Sequence, residues 1–577
     1  MRYPKNRPVK MTLAHINDTH SYFEPTSLPL TIKVANTTLT PYVSAGGFAR
    51  IATRVKQLKA KAQQDQSGFL FLHAGDCFQG TLYFSLFKGK ANSDMLNALD
   101  IDAMTLGNHE LDMGNQPVAQ FAKRIRFPLL AGNWDLSSEL TTKTDKLSDN
   151  PNVFSYNVTS RRASWISKTI QGEPVAIFGL SLDKMSDISN PDSDTPFVDA
   201  YQTAMNTVRD IQQSGINKII LLSHLGYEAD LDLAKQVSGI SVIVGGHSHR
   251  LQGDFSDLGL DRDDPYGVKI GSTYVVQAGY YSLSLGHAEI EFSAQGTVTA
   301  FRGKNELLLG RRLFLDASMS ETGDDLHHRQ ACEFIHQHPN VVVCKKDPDV
   351  QTLLADKYIP RVRKLQSEVI AVCDHALKHV RVPDETGPSQ VAPLVAEAFV
   401  HALNKRGHDV EFAIHNAGGV RTSIREGEMS VADVAGKLLP FAVPIGHYDV
   451  TGEVIAAMLE GAINNALNND VVGTGTGSYP YTHNLKFCYK PDAKLGERIQ
   501  QLKIFSMEYG WQEIEYNKIY RGTSSAYTMK GKEGYEAILN MENDGWVSGL
   551  SMADCFIELL QERPDLLSES HFKQNQR

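Results

Sequence analysis

The sequence predicts an α/β protein of two domains joined by a helix. Three observations predict this. At 577 residues the chain exceeds what one hydrophobic core serves. Across its first half, short apolar runs alternate with helical patterns, as in a layered α/β domain. Near residue 350 a charged amphipathic stretch interrupts the alternation, which then resumes to the end.

Taken in order, buried strands are read at 12–16, 69–73, 103–106, 175–180, 219–222 and 242–244. The clearest helix carries Phe48, Ile51, Val55, Leu58 and Ala62 at spacings of three and four. A second is read at 201–213, and closing strands at 275–277 and 287–292. Residues 303–348 read as irregular and polar. The stretch 349–369 reads as one amphipathic helix, kinked by Pro360. The expected organisation is therefore a first domain over 1–345, a linker helix over 346–369 and a second α/β domain over 370–577. The second domain has helices at 390–404 and 453–467 and strands at 412–415, 499–504 and 519–523. Its glycine-rich run 473–478 reads as a flexible loop, because it lacks the lysine and the strand–loop–helix setting of a P-loop.

Composition narrows the function classes. A net charge of −10 argues against nucleic acid as a partner, which prefers a basic face. It leaves an anionic small substrate open, because bound dications reverse the local field. No apolar run approaches the roughly 18 residues of a membrane span. The basic start, Met1 to Lys10, has no apolar region after it and does not read as a signal peptide. The expectation is a cytoplasmic protein, or a periplasmic one if the chain is a processed form. The six cysteines lack metal-site spacing and read mainly as free thiols, with Cys332 and Cys344 able to pair. No pattern in the chain fixes an oligomeric state.

Five short polar motifs carry the chemistry. They are Asp18-Thr19-His20, Gly75-Asp76, Gly107-Asn108-His109-Glu110, Ser223-His224 and Gly245-Gly246-His247-Ser248-His249. Each follows an apolar run, and side chains just past the carboxyl ends of strands converge on one crevice. Asp18 and His20, two residues apart, share a face if the chain there is extended. One amide, two carboxylates and several imidazoles suit a borderline metal such as Zn²⁺, Mn²⁺, Fe²⁺ or Co²⁺. A carboxylate can bridge two such ions, and Asp76, standing alone between the other motifs, is the candidate bridge. Two ions about 3.5–4 Å apart can hold a hydroxide and clamp a phosphoryl group. His15 and His73 lie inside strand patterns and read as core or supporting histidines.

This order of motifs resembles the calcineurin-like metallophosphoesterases. The longer strings Ile16-Asn17-Asp18-Thr19-His20, Ala74 to Thr81 and Gly107 to Asp112 resemble the 5′-nucleotidase/UDP-sugar hydrolase family more narrowly, and the likeness runs past the linker. The resemblance implies a four-layer α/β sandwich followed by a substrate-binding domain. It implies one metal on Asp18, His20, Asp76 and His249, another on Asp76, Asn108, His224 and His247, and a catalytic pair in His109 and Asp112. In the second domain it implies phosphate contacts from Arg381 and Arg421 and a nucleoside site from Asn416, Gly418, Phe441, Tyr527 and Glu533. Here the chain departs from the family: Tyr527 replaces a phenylalanine and Glu533 an aspartate.

The function so implied is a dimetal phosphohydrolase acting on nucleoside 5′-monophosphates, with nucleotide sugars and other nucleotide phosphates as further substrates, by in-line attack of a hydroxide held between the ions. The rival within the same chemistry is a 2′,3′-cyclic-nucleotide phosphodiesterase with 3′-nucleotidase activity. A silent nucleotide sensor is the rival from another class, opposed by the intact ligand set. A DNA nuclease on the same scaffold is disfavoured by the acidic charge.

Overall fold

A computed structural model describes residues 6–34, 37–315, 326–441, 443–468, 475–543 and 545–569. The chain divides into two compact units, Met1–Gln79 with Leu86–Pro360, and Arg361–Arg577 with Gly80–Ser85.

The first unit is built on two sheets. In the larger, Val9–Ile16 pairs in parallel with Gly68–His73, which continues through Ala103–Thr105, while its other edge is antiparallel to Ser284–Phe292. In the smaller, Glu173–Ser181, Ile219–His224, Val242–Gly245 and Thr273–Val276 run parallel. The inner faces meet in an apolar core. Met11, Leu13, Leu70 and Leu72 come from one sheet, and Val175, Ile177, Ile220, Leu222, Val242 and Val244 from the other. Alternate residues of the smaller sheet, among them Phe178, Leu221 and Ile243, face outward onto the helices Ala200–Gln213 and Tyr227–Gln236. Strands covered on both faces read as continuous apolar runs rather than alternating ones, which is why the sequence located them. The helix Phe48–Gln64 buries Ile51, Val55, Leu58 and Ala62 against the larger sheet, completing the four layers.

Three expectations need correction. Residues 303–348 are largely regular: the strand Val298–Phe314, the helix Leu326–Gln337 and the strand Val341–Val343 lie there, while residues 316–325 fall outside the described ones. The stretch read as polar because its buried polar residues are neutralised by distant partners. Glu306, 1% exposed, accepts from Arg54 Nε and Nη2 at 2.6 and 3.0 Å, and Asn305 donates to the carbonyls of Gln252 and Gln277. Second, the single helix expected over 349–369 is two helices, Pro348–Lys357 and Ile359–Gln366, and Val369 already begins the strand Val369–Cys373. The break falls at Tyr358, where proline at the next helix's start removes a backbone donor and fixes φ. Third, the chain at Asp18 and His20 is not extended, as described below. Of the glycine-rich loop, residues 473 and 474 lie outside the described ones, and Gly475–Ser478 forms a 3₁₀ turn. All six cysteines are free, with no Cys332–Cys344 bridge.

Lys218 and Glu173 form an ion pair at 3.3 Å with both side chains only 1% exposed. A buried charge that loses its partner cannot regain its hydration. Lys218→Met is therefore expected to destabilise the first unit by about 3–5 kcal/mol, read by urea unfolding. Adding Glu173→Leu should restore most of that loss. A single variant as stable as the parent would contradict the pairing.

The second unit has a five-stranded sheet in the order Pro480–His483, Phe412–Asn416, Ile519–Ser525, Pro444–Thr451 and Trp546–Ser551. The helix Gly452–Asn468 and the three-stranded sheet of Leu485–Tyr489, Ile499–Ser506 and Gly510–Glu513 close one core over it. The helices Ala392–Asn404 and Met552–Glu562 pack together, the latter started by a Ser551–Asp554 capping box.

Candidate active site

All five motifs leave strands at their carboxyl ends. Asp18 and His20 follow Val9–Ile16, Asp76 follows Gly68–His73, and Asn108 follows Ala103–Thr105. His224 ends Ile219–His224, and His247 and His249 follow Val242–Gly245. Three motifs belong to one sheet and two to the other, so the site lies where the two sheets' ends meet rather than at the crevice of one open sheet. The loops bend sharply to reach it. Asp18, His20, Asp76, His247 and His249 have φ of 48°, 46°, 59°, 71° and 54°, in the left-handed region that side chains avoid.

This turning gathers the candidate ligand atoms into two groups. Asp18, His20 and His249 form one, and Asp76, His224 and His247 the other, with the atoms of each group within 4.8 Å of one another. Asp76 links them: its Oδ2 stands 3.1 Å from His224 Nε2 and 4.0 Å from His20 Nε2. Asn108 Oδ1 lies 3.3 Å from His224 Nε2 and 2.9 Å from His247 Nδ1.

The donor set fits divalent ions. His224 Nδ1–H donates to the Ala74 carbonyl at 2.7 Å and His20 Nδ1–H to that of Phe78 at 3.0 Å. Each ring thereby presents its Nε2 lone pair inward, the arrangement that orients metal-binding imidazoles. His20 Nε2 and His249 Nε2 face each other at 3.3 Å. Opposed lone pairs at this distance call for a cation or a proton between them. Burial would strip the proton from His224, but the Asp76 carboxylate more than offsets this and lifts the imidazole to about 10, so an ion binding at Nε2 would displace a proton there. Burial, aided by neighbouring histidines, lowers His20 and His247 to about 4. Those two rings stay neutral, as ligands must.

Glu110, whose role sequence reasoning left unassigned, is the keystone of the loops. Fully buried, its carboxylate accepts from the backbone N–H groups of Asp76, Cys77, Phe78 and Gly107 at 3.0, 2.7, 3.0 and 2.7 Å. It ties the Asp76 turn to the Asn108 turn. Asn17 likewise donates to Asp18 Oδ2 at 2.7 Å. Both residues lay inside quoted motifs, so their positions were visible and their duties were not. His15 and His73 behave as core groups: His15 Nε2 meets Tyr266 Oη at 2.8 Å, and His73 Nε2 meets Thr19 Oγ1 at 3.0 Å.

His109 Nδ1–H donates to Asp112 Oδ2 at 2.7 Å, and Asp112 Oδ1 accepts from Ser189 Oγ at 3.0 Å. The His109 backbone N–H donates to Asp76 Oδ1 at 2.9 Å. Burial opposes a charge on this ring, but Asp112 and Asp76 outweigh it and raise the imidazole to about 10. The side chain is 28% exposed, so the ring edge reaches solvent. One of its nitrogens also comes within 4.8 Å of ligand atoms of His20 and Asp76. Proximity alone therefore does not separate it from the candidate ligands; its hydrogen bond to Asp112 is what distinguishes it from them.

The second unit brings its named residues into two neighbourhoods. The Arg421 guanidinium stands over the Phe441 ring at 5.7 Å, with Nη1 donating to the Gly418 carbonyl at 3.3 Å. Asn416, ending its strand, meets Thr528 Oγ1 at 3.4 Å. Tyr527 hydrogen-bonds Glu533; burial and that carboxylate raise its phenol to about 12. Burial also raises Glu533, and Arg381 beside it works the other way. His379, not singled out in sequence, lies near both Arg381 and Arg421, and burial first, then those charges, lowers it to about 4.

Two facing sheets with a histidine–carboxylate cluster at their joined ends define a calcineurin-like phosphoesterase domain, and residues 11–251 match that family. Residues 369–540 match the 5′-nucleotidase C-terminal domain. The chain is 30% identical to the probable 5′-nucleotidase of Treponema pallidum, over 92% of this chain and 87% of that one. It is 29% identical to the NAD 5′-nucleotidase of Haemophilus influenzae, over 97% and 91%. Among solved structures, Haemophilus influenzae NAD nucleotidase superposes with a TM-score of 0.64 at 28% identity, covering 97% of each chain. The 5′-nucleotidase precursor of Thermus thermophilus gives 0.63 at 28% identity, covering 96% of each. The chain belongs to the 5′-nucleotidase family and is a metal-dependent phosphoester hydrolase. Among the described residues no helix is long and apolar enough to cross a membrane.

Proposed function

We propose that this protein removes phosphate from nucleoside 5′-monophosphates and from related nucleotide phosphates, using two divalent ions. The observation that carries the reading is Asp76, one buried carboxylate reaching both ligand groups while its other oxygen takes the His109 N–H. Asp18, His20, Asp76 and His249 would hold one ion, and Asp76, Asn108, His224 and His247 the other. Bound there, the ions supply Lewis-acid neutralisation of the phosphoryl charge and activation of water.

The chain's own groups do the rest. His109, oriented by Asp112, offers its free ring nitrogen to the phosphoryl or leaving oxygen and holds a proton there. Arg421 and Arg381 recognise phosphate, for which a planar guanidinium suits. Phe441 and Tyr527 supply faces for the base, and Asn416, Gly418 and Glu533 supply polar contacts to the nucleoside. The names of the relatives support a nucleotide as substrate.

The test is a panel of 5′- and 3′-monophosphates, 2′,3′-cyclic nucleotides, UDP-glucose and NAD. It is run on metal-stripped protein with Mn²⁺, Zn²⁺, Co²⁺ or Mg²⁺ restored. Turnover of 5′-monophosphates is expected, with Arg421→Ala raising KM by about tenfold or more, the worth of one charge-assisted contact. Turnover confined to 3′- and cyclic phosphates would replace this reading with the phosphodiesterase one.

A further inference from the structure

The first unit carries an aromatic turn that no role yet explains. Residues 279–282 read Gly-Tyr-Tyr-Ser, and Tyr281 and Ser282 have φ of 54° and 58°. Two consecutive non-glycine residues in this region persist only where the surroundings hold them. Asn17 does so, donating to the Gly279 carbonyl at 2.6 Å and accepting from the Ala278 N–H at 2.8 Å. The Tyr281 N–H donates to the Asp18 carbonyl at 2.9 Å.

So pinned, the turn lays its rings on one ligand group. Tyr280 stacks on His249, with centroids 5.1 Å apart and planes at 20°. Tyr281 meets His249 edge-on at 5.7 Å and His20 edge-on at 5.6 Å, and is backed by Tyr22, stacked at 4.3 Å. Asp18, His20 and His249 are thus all touched by a single turn. His249 has particular need of it. His20 and His224 are oriented by backbone carbonyls, but among the described residues no hydrogen bond holds the other nitrogen of His249. Among the described residues polar contacts reach that ring only at Nε2, the nitrogen an ion would take, and its terminal torsion is broad. A stacked phenol ring fixes its rotation.

We propose that Tyr280 and Tyr281 are positioning residues that clamp His249, so that the ion of the Asp18–His20–His249 group is retained through aromatic packing while the other ion is not. This rests on the two-ion reading above. The clamp acts by ring geometry, so the phenol hydroxyl of Tyr280 is dispensable and its ring is not. Tyr280 is 37% exposed, so its replacement leaves the core intact.

The experiment loads the full chain with Zn²⁺, removes excess ion and follows release to a chromogenic chelator, with total zinc measured per chain. Two ions per chain are expected for the parent. Tyr280→Ala should release one of them about tenfold faster and leave the other unchanged, the usual scale for a supporting contact to a ligand. Tyr280→Phe should release both at the parent rates. If Tyr280→Ala releases both ions at parent rates, or speeds both equally, the clamp is overturned while the metal reading stands. If the parent binds fewer than two ions, the two-ion reading falls and the clamp with it.

Discussion

Asp76→Ala is expected to abolish phosphate release, lowering kcat/KM by about 10³-fold or more, the loss of several kcal/mol of charge stabilisation. The Asp76 carboxylate has several duties in the site. One oxygen faces His224 at 3.1 Å and His20 at 4.0 Å, and the other accepts the His109 backbone N–H at 2.9 Å. Its charge is strongly stabilised: burial works against it, yet His224 and His109 hold it well below the usual carboxylate range. Removing it leaves two imidazole groups with no common anion, so zinc per chain should fall together with activity. Asp76→Asn keeps the shape and loses the charge, and should behave almost as badly. Turnover at the parent rate in either variant would refute the shared-carboxylate site. Parent protein that binds nucleotide without metal-dependent turnover would point instead to a sensor.

His109→Ala is the second large effect, and it is of a different kind. A positioned acid–base group contributes about 10²–10⁴-fold, so kcat should drop by that order while KM changes little. Because Nδ1 is committed to Asp112 at 2.7 Å, the ring is expected to act on the substrate and not as a ligand. The zinc content of His109→Ala should therefore equal that of the parent. Loss of an ion in this variant would move His109 into the ligand set, alongside His20 and Asp76. An ion held by Asp76 would reduce that residue's share in raising the imidazole, leaving Asp112 as the supporting charge. Asp112→Asn should accordingly reduce kcat through a ring that is less basic and less well oriented.

How much of this was legible in the sequence depended on how local the cause was. The strands Ile219–His224 and Val242–Gly245 were visible because burial on both faces demands unbroken apolar runs. The five polar motifs were visible because each is a short string at a strand's end. Residues 303–348 were opaque because Glu306 and Asn305 are buried against partners elsewhere in the chain, Arg54 and Gln252 among them, and hydropathy prices them as exposed. The helix break at Tyr358 was misplaced because Pro360 permits either a kink or a fresh start. Ser189 and Tyr280 reach the site from loops outside the five motifs, and nothing near them in the chain announces it. Tyr527 and Glu533 were found by resemblance, but their hydrogen bond to each other was not.

The left-handed backbone of the site has a consequence for descent. At Asp18, His20, Asp76, His247 and His249 the preferred residue on conformational grounds would be glycine. A lineage of this chain released from the need to hydrolyse phosphate would face a downhill path at these very positions. Relaxed selection would erode the ligands ahead of the sandwich around them. What survived would be a folded relic with a glycine-lined hollow in place of these side chains.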